Sequence, residues 1–276
     1  MDVRMVSYAD NHEDVLLQRA LPADAGGFYI DVGAYDPTMH SVTRHFYDRG
    51  WRGINVEPNP APFRRLHAER ARDVNLNLGL SDRAGTLTIY EAPDACWSVD
   101  KDLLTGWFGA DRSSIVERTI RVRTLADVCD EHVPAGATIS FLKVDVEGHE
   151  HEVLRGGDWS RWRPRVVLVE AGDQARWEPI LLSNRYQFAF FDGVNRFYVR
   201  EEDPSLLPIL SYPANPGDRY AIHGYMARIV ELEAQVGRLG GCSPATLKLA
   251  SWMHRIGNAS PRLKRMARPI VRRLAS

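Results

Sequence analysis

Phe28-Tyr29-Ile30-Asp31-Val32-Gly33-Ala34-Tyr35-Asp36-Pro37 is the stretch that decides the fold. A short apolar run carries one acid and meets a lone glycine, the form of a buried parallel strand opening onto a ligand-binding turn. Glycine takes up backbone angles closed to other residues and lets a ligand approach the chain. The helix start that follows such a turn suits carboxylates and other polar groups. The further glycines of G-x-G-x-x-G, which admit a pyrophosphate, are missing here, so a nucleoside without pyrophosphate fits better than a dinucleotide.

Working outward, three more runs read as parallel strands: Gly53–Glu57, Ile139–Asp145 and Val166–Glu170. Each has an acid at its carboxyl end, the edge where open parallel sheets hold their ligands. Helical stretches lie between them, among them Ala61–Ala71, opened by Pro60 and Pro62, and Glu150–Arg155, closed by Gly156-Gly157. Gln187–Phe191 and Arg196–Val199 flank Asp192-Gly193, a hairpin signal, so the sheet is expected to end in an antiparallel pair. The α/β rhythm breaks from about Glu91 to Glu117, a segment containing Trp97, Trp107 and Phe108 that is too long for an ordinary connection and is expected to act as a lid.

Three domains are expected: a lead-in over 1–27 with a helix near Glu13–Ala20 that covers the ligand site, an α/β domain over 28–210, and an extension over 211–276. In the extension, Tyr225, Ile229, Leu232, Val236 and Leu239 form a short heptad seam, so residues 223–239 are a candidate surface for self-association. The tail beyond it carries Lys248, Arg255, Arg262, Lys264, Arg265, Arg268, Arg272 and Arg273, with no acid after Gly241. Such a tail suits an anionic membrane surface or an acidic partner protein. The net charge of −1 gives no general pull towards nucleic acid. Cys96, Cys129 and Cys242 are too far apart for a C-x-x-C pair, which argues against disulfide and zinc frameworks and for a reducing, cytoplasmic setting, at most peripheral to the inner face of a membrane. No run reaches the ~20 apolar residues of a spanning helix.

Glu57 stands 26 residues after Asp31, on the neighbouring strand, where an acid can accept hydrogen bonds from both hydroxyls of a ribose. Ser81-Asp82, after the run Val74–Leu80, adds a polar pair at the same rim. These segments, with Ser7–Asp14, Ser41-Val42-Thr43, Gly50–Pro58, Phe141–Gly148 and Asn195–Tyr198, resemble the FkbM family of S-adenosylmethionine-dependent methyltransferases over roughly residues 5–200. The resemblance implies a Rossmann-like class I methyltransferase domain, with a mostly parallel seven-stranded sheet, an antiparallel hairpin at its end and here a helical basic C-terminal extension. It implies S-adenosylmethionine as cofactor and O-methylation of a sugar hydroxyl on a bacterial glycan or polysaccharide precursor. Asp31, Gly33 and Asp36 would then line the methionine side, with Ser41 close by, Glu57 the ribose and Ser81-Asp82 the adenine, while Asn11, Glu13 and Asp14 would fold over the site. Where the family often has Asn-Asp-Pro or Asn-Glu-Pro, this chain has Tyr35-Asp36-Pro37.

A hydroxyl acceptor needs a base to take its proton or a metal to lower its pKa. Strand alternation is expected to place Lys143, Asp145 and Glu147 on one side of their run. Asp145, which would also face the cofactor, His149 and His40 are the base candidates, and Asp145, Glu147 and Glu170 are the oxygen ligands available to a Mg2+ ion. His149-Glu150 is no zincin site, because position 153 is a valine. Trp97, Trp107, Phe108 and Trp177 are candidate stacking faces for sugar rings. The competing readings are a nicotinamide-dependent oxidoreductase or epimerase of nucleotide sugars and a non-catalytic scaffold.

Overall fold

The computed structural model describes residues 4–22, 26–92, 97–108 and 115–238. The chain divides into two compact units, 1–220 and 221–276. The first opens with β1 (Met5–Ser7) and α1 (Glu13–Ala20), then β2 (Phe28–Val32), α2 (Arg44–Asp48), β3 (Arg52–Val56), α3 (Pro60–Glu69) and β4 (Val74–Leu76). Next come β5 (Gly79–Leu80), β6 (Gly85–Glu91), β7 (Trp97–Ser98), α4 (Lys101–Phe108), β8 (Val116–Arg123) and α5 (Leu125–His132). It closes with β9 (Ile139–Val144), α6 (Glu150–Arg155), β10 (Val166–Glu170), α7 (Gln174–Ser183), β11 (Tyr186–Phe191), β12 (Asn195–Arg200) and α8 (Leu207–Leu210).

Seven strands form the central sheet in the order β11-β12-β10-β9-β2-β3-β4. Neighbours from β10 to β4 run parallel, whereas β12 is antiparallel to both β10 and β11. The expected hairpin is therefore present, turning at Asp192-Gly193. Alternation along the strands builds two cores. Ile30, Val32, Leu142, Val144, Val167 and Val169 pack with Val128, Val153, Leu154 and Trp177 on one face. Tyr29, Phe141, Val166 and Leu168 pack with Leu16, Leu17 and Phe46 on the other. Burial on both faces is why these strands read as unbroken apolar runs. Asp31 and Lys143, two residues beyond Tyr29 and Phe141, fall on the α1 and α2 side.

The strands on either side of the segment expected to be a lid form, with β7 inside it, a second sheet, β5-β8-β6-β7, in which β6 and β8 pair from Gly85↔Val122 to Glu91↔Val116. Its alternation is legible in Thr86-Leu87-Thr88-Ile89, one face wet and one covered. The stretch through Tyr220 stays tied to the first unit by Arg19, whose guanidinium donates to Asp218 and to the carbonyls of Ile209, Tyr212 and Pro213.

In the second unit a helix, α9, spans His223–Arg238. Tyr225 and Leu232 of the heptad seam are exposed on it. The side chain of Val236, Leu239 and the whole basic tail lie outside the described residues, as do Cys96, Cys242 and the side chains of Trp107 and Phe108. Among the described residues no helix is long and apolar enough to cross a membrane.

Gly33 sits at φ +79, and a Cβ there would lie 1.8 Å from the Asp145 carbonyl oxygen. Gly50 has a similar φ of +89 but open space around it. Gly50→Ala is therefore expected to cost only the left-handed penalty of about 1–2 kcal/mol. Gly33→Ala adds a backbone clash and should cost at least about 2 kcal/mol more. Chemical denaturation of the two variants decides the point; equal losses would contradict the clash.

Candidate functional site

A cavity of about 430 Å³ opens at the carboxyl ends of β2, β3 and β9. Its polar half comes from the strand ends, and Leu87, Ile89, Trp97 and Ile120 of the second sheet form an apolar wall opposite. Sequence reasoning named only Trp97 of that wall and missed Leu87, Ile89 and Ile120, although their period-two alternation was the available signal.

Lys143 organises the polar half. Its Nζ donates to the Gly33 carbonyl at 2.7 Å and lies 3.5 Å from Asp31 Oδ1 and 3.3 Å from Asp145 Oδ2. Burial opposes the ammonium, but Asp145 and Asp31 outweigh it and its pKa is raised. Lys143 is thus a fixed positive charge. Asp31 Oδ2 accepts from Thr43 Oγ1 at 3.0 Å. Its Oδ1 is buried with no hydrogen-bond donor among the described residues.

Glu57 lies just past β3 and clamps two loops: Oε2 accepts the Tyr35 amide at 2.9 Å and Oε1 the Asn59 amide at 2.7 Å. Burial pushes its carboxyl up to about 7 against those bonds. Each oxygen keeps a lone pair, so a pair of hydroxyls can still be accepted. Tyr35 holds the left-handed φ of +48 that the tight turn imposes.

Of the residues singled out from the sequence, Glu13, Asp31, Gly33, His40, Glu57, Trp97, Lys143, Asp145, Glu147 and His149 line the cavity. Asp36 and Ser41 serve the adjoining loop instead. Asp36 Oδ1 accepts the Thr38 and Met39 amides, both at 2.8 Å, and Oδ2 pairs with Arg65 at 2.7 Å. Ser41 Oγ accepts from Arg70. Ser81 meets His149 Nε2 at 3.1 Å and Asp82 faces Arg155 at 3.7 Å, while Gly79 and Leu80 just before them reach the wall. Asp14 is fully buried, accepting from Ser7 Oγ and the Tyr8 amide, and burial raises it to about 6. The Asn11 amide donates to Glu13 Oε2, and Asn195 Nδ2 donates to Glu13 Oε1. Burial pushes Glu13 up to about 8. Asp10, overlooked between Ala9 and Asn11, also lines the cavity. Trp177 does not: it is fully buried, edge-on to Tyr198, because α7 carries it into the core.

Asp145, Glu147 and Glu170 each bring a carboxylate oxygen within 4.8 Å of the others. Alternation did not put Glu147 there, since β9 ends at Val144 and Glu147 arrives through a left-handed turn, φ +56. Glu150 Oε1 fixes that turn by accepting the Val146 and Gly148 amides. Burial first, then Asp145, raises Glu147 to about 7 and Glu170 to about 9. An acid raised from its usual 4.5 holds, in the fold, a proton that the unfolded chain has released, so stability falls as pH rises from about 4.5 to about 9. Glu170→Gln should therefore leave the melting temperature almost unchanged at pH 4 and raise it at pH 9, by roughly 2–4 °C per kcal/mol relieved. An equal shift at both values, read by scanning calorimetry, would contradict the assignment.

Among the described residues six acidic side chains line this cavity, from Asp10, Glu13, Asp31, Glu57, Asp145 and Glu147, with Glu13, Glu57 and Glu147 raised to about 7 or 8, against the single ammonium of Lys143. Such a lining favours a ligand carrying positive charge. The family model for the methyltransferase FkbM domain matches residues 31–199. The "31-O-demethyl-FK506 methyltransferase FkbM" of Streptomyces tacrolimicus is 28% identical over 68% of this chain and 79% of its own length. "Methyltransferase sdnD" of Sordaria araneosa is 28% identical over 55% of this chain and 67% of its own. No solved structure matches. With the strand ends that bound its cavity inside the matched span, the chain belongs to the FkbM family of methyltransferases and carries that family's α/β methyltransferase fold.

Proposed function

We propose that this chain is an S-adenosylmethionine-dependent O-methyltransferase acting on a sugar hydroxyl of a glycan or polysaccharide precursor. We read its seven-stranded sheet, with β12 alone reversed, as the class I methyltransferase sheet. One observation carries the reading: an acid-rich cavity bounded by a side-chain-free glycine turn and by Glu57. The residues fit the cofactor. Buried Asp31 Oδ1 awaits a donor, Gly33 leaves the backbone open, and the carboxylates balance a sulfonium.

When bound, the cofactor supplies an activated methyl on a sulfonium leaving group. Asp31 and the Gly33 turn would hold its methionine end, Glu57 its ribose, and Gly79-Leu80 its base. The protein then has to orient an acceptor oxygen, exclude water and accept a proton. The apolar wall excludes water, and Trp97, whose buried indole Nε1 has no hydrogen-bond partner among the described residues, offers the acceptor a ring face. An oxygen acceptor is supported by the name of the Streptomyces relative, which specifies a 31-O-demethyl compound. A Mg2+ ion among Asp145, Glu147 and Glu170 is a second reading, favoured by their clustering.

S-Adenosylhomocysteine is expected to bind with micromolar affinity by calorimetry, with no response to NAD. Heat from NAD alone would replace this reading with the oxidoreductase one. Glu57→Ala should weaken that binding by about 1–3 kcal/mol through lost charge-assisted hydrogen bonds. Unchanged affinity would remove Glu57 from the ribose. Transfer of labelled methyl to methyl glycosides tests the acceptor, and a rate that survives exhaustive EDTA treatment removes the metal.

A further inference from the structure

His40 stands at the cavity with a left-handed φ of +61, its Nδ1 2.5 Å from Asp10 Oδ1. The two residues come from separate loops, each fixed by buried groups. Arg70, fully buried, donates through Nε and Nη2 to the Pro37 carbonyl, at 3.0 and 2.7 Å, and through Nη2 to Ser41 Oγ at 2.9 Å. It therefore holds both ends of the loop that presents His40. Asp14 holds Ser7 and Tyr8 on one side of Asp10, and Glu13 holds the Asn11 amide on the other.

The other two base candidates are engaged elsewhere. His149 has Nε2 at Ser81 Oγ, 3.1 Å, and Nδ1 at Glu152, 3.5 Å. Asp145 is committed to the Lys143 ammonium. In His40 only Nδ1 is engaged, and Nε2 has no hydrogen-bond partner among the described residues. The side chains of His40 and Asp10 are 52% and 64% exposed, so a proton gained there can pass directly to water.

We propose that His40 is the general base of the methyl transfer and Asp10 its positioning residue, an inference that rests on the methyl-transfer reading. Asp10 accepts the Nδ1–H, fixing the tautomer whose Nε2 is a base and steadying the imidazolium that forms. As the acceptor O–H bond breaks, its proton goes to Nε2 and an oxygen lone pair forms the new C–O bond. The C–S bond breaks with its electrons going to sulfur, leaving a neutral thioether. The imidazolium then returns its proton to solvent.

The test uses the full chain, labelled S-adenosylmethionine and two probes: methyl α-rhamnoside, whose hydroxyls need a base, and 1-thio-β-glucose, whose thiol ionises unaided. The variant is His40→Asn, because asparagine tolerates the left-handed turn. Transfer to the glycoside should fall about 100-fold or more, while transfer to the thiol changes by less than about threefold. Added imidazole should restore part of the glycoside rate, and Asp10→Asn should lower that rate about tenfold or more. S-Adenosylhomocysteine binding by calorimetry should stay within about threefold in His40→Asn, and both variants should keep the wild-type melting temperature, reporting an intact fold. A wild-type glycoside rate in His40→Asn, or equal losses on both probes, would overturn the dyad alone. Wild-type protein that binds no S-adenosylhomocysteine would overturn the methyl-transfer reading and the dyad with it.

Discussion

The buried ammonium of Lys143 is the contact on which the rest of the site depends. Unpaired, a charge in that position would be prohibitive, and so would buried Asp31 without a cation beside it. Together the three groups join the end of β2 to the end of β9, and the bond to the Gly33 carbonyl fixes the turn between β2 and its following loop. Gly33 and Ala34 then donate to the Val56 carbonyl, which aligns β3 and delivers Glu57. The cavity follows from that alignment.

The cavity has two halves of different origin. One is made by strand ends whose register is set by a core packed on both faces. The other is a smaller sheet, inserted between β4 and α5, that meets the strand ends through the hydrogen bond from Ser98 Oγ to the Glu147 carbonyl, 2.7 Å. The first half carries the charged groups, and the second the apolar surface. The apolar wall can therefore change its side chains while Asp31, Lys143 and Asp145 stay in place.

How legible each part was in the sequence follows from burial. The runs around Asp31, Glu57, Asp145 and Glu170 declare themselves because both faces of those strands are apolar, and their terminal acids had to meet at one rim. The second sheet was harder to read, since its two long strands, β6 and β8, are wet on one face and their pairing joins segments on either side of the interruption. Residue roles that depend on backbone angles were invisible. Nothing in the letters of Val146-Glu147-Gly148 announces the turn that brings Glu147 beside Asp145. Asp36 reads as a site residue because its neighbours Gly33, Ala34 and Tyr35 line the cavity, yet a short carboxylate two residues before free amides closes its own turn. Trp177 shows the reverse error, an aromatic assigned to the surface that the helix stripe carries inward.

Six non-glycine residues in the described chain adopt left-handed backbone angles, and three of them, Tyr35, His40 and Glu147, surround this one cavity. Conformations of that kind each cost of order 1–2 kcal/mol and persist only where the surroundings impose them. The rim was therefore bent into shape when the chain folded, before any guest arrived. A visiting molecule meets walls already set, and the affinity it gains is not diminished by having to bend them.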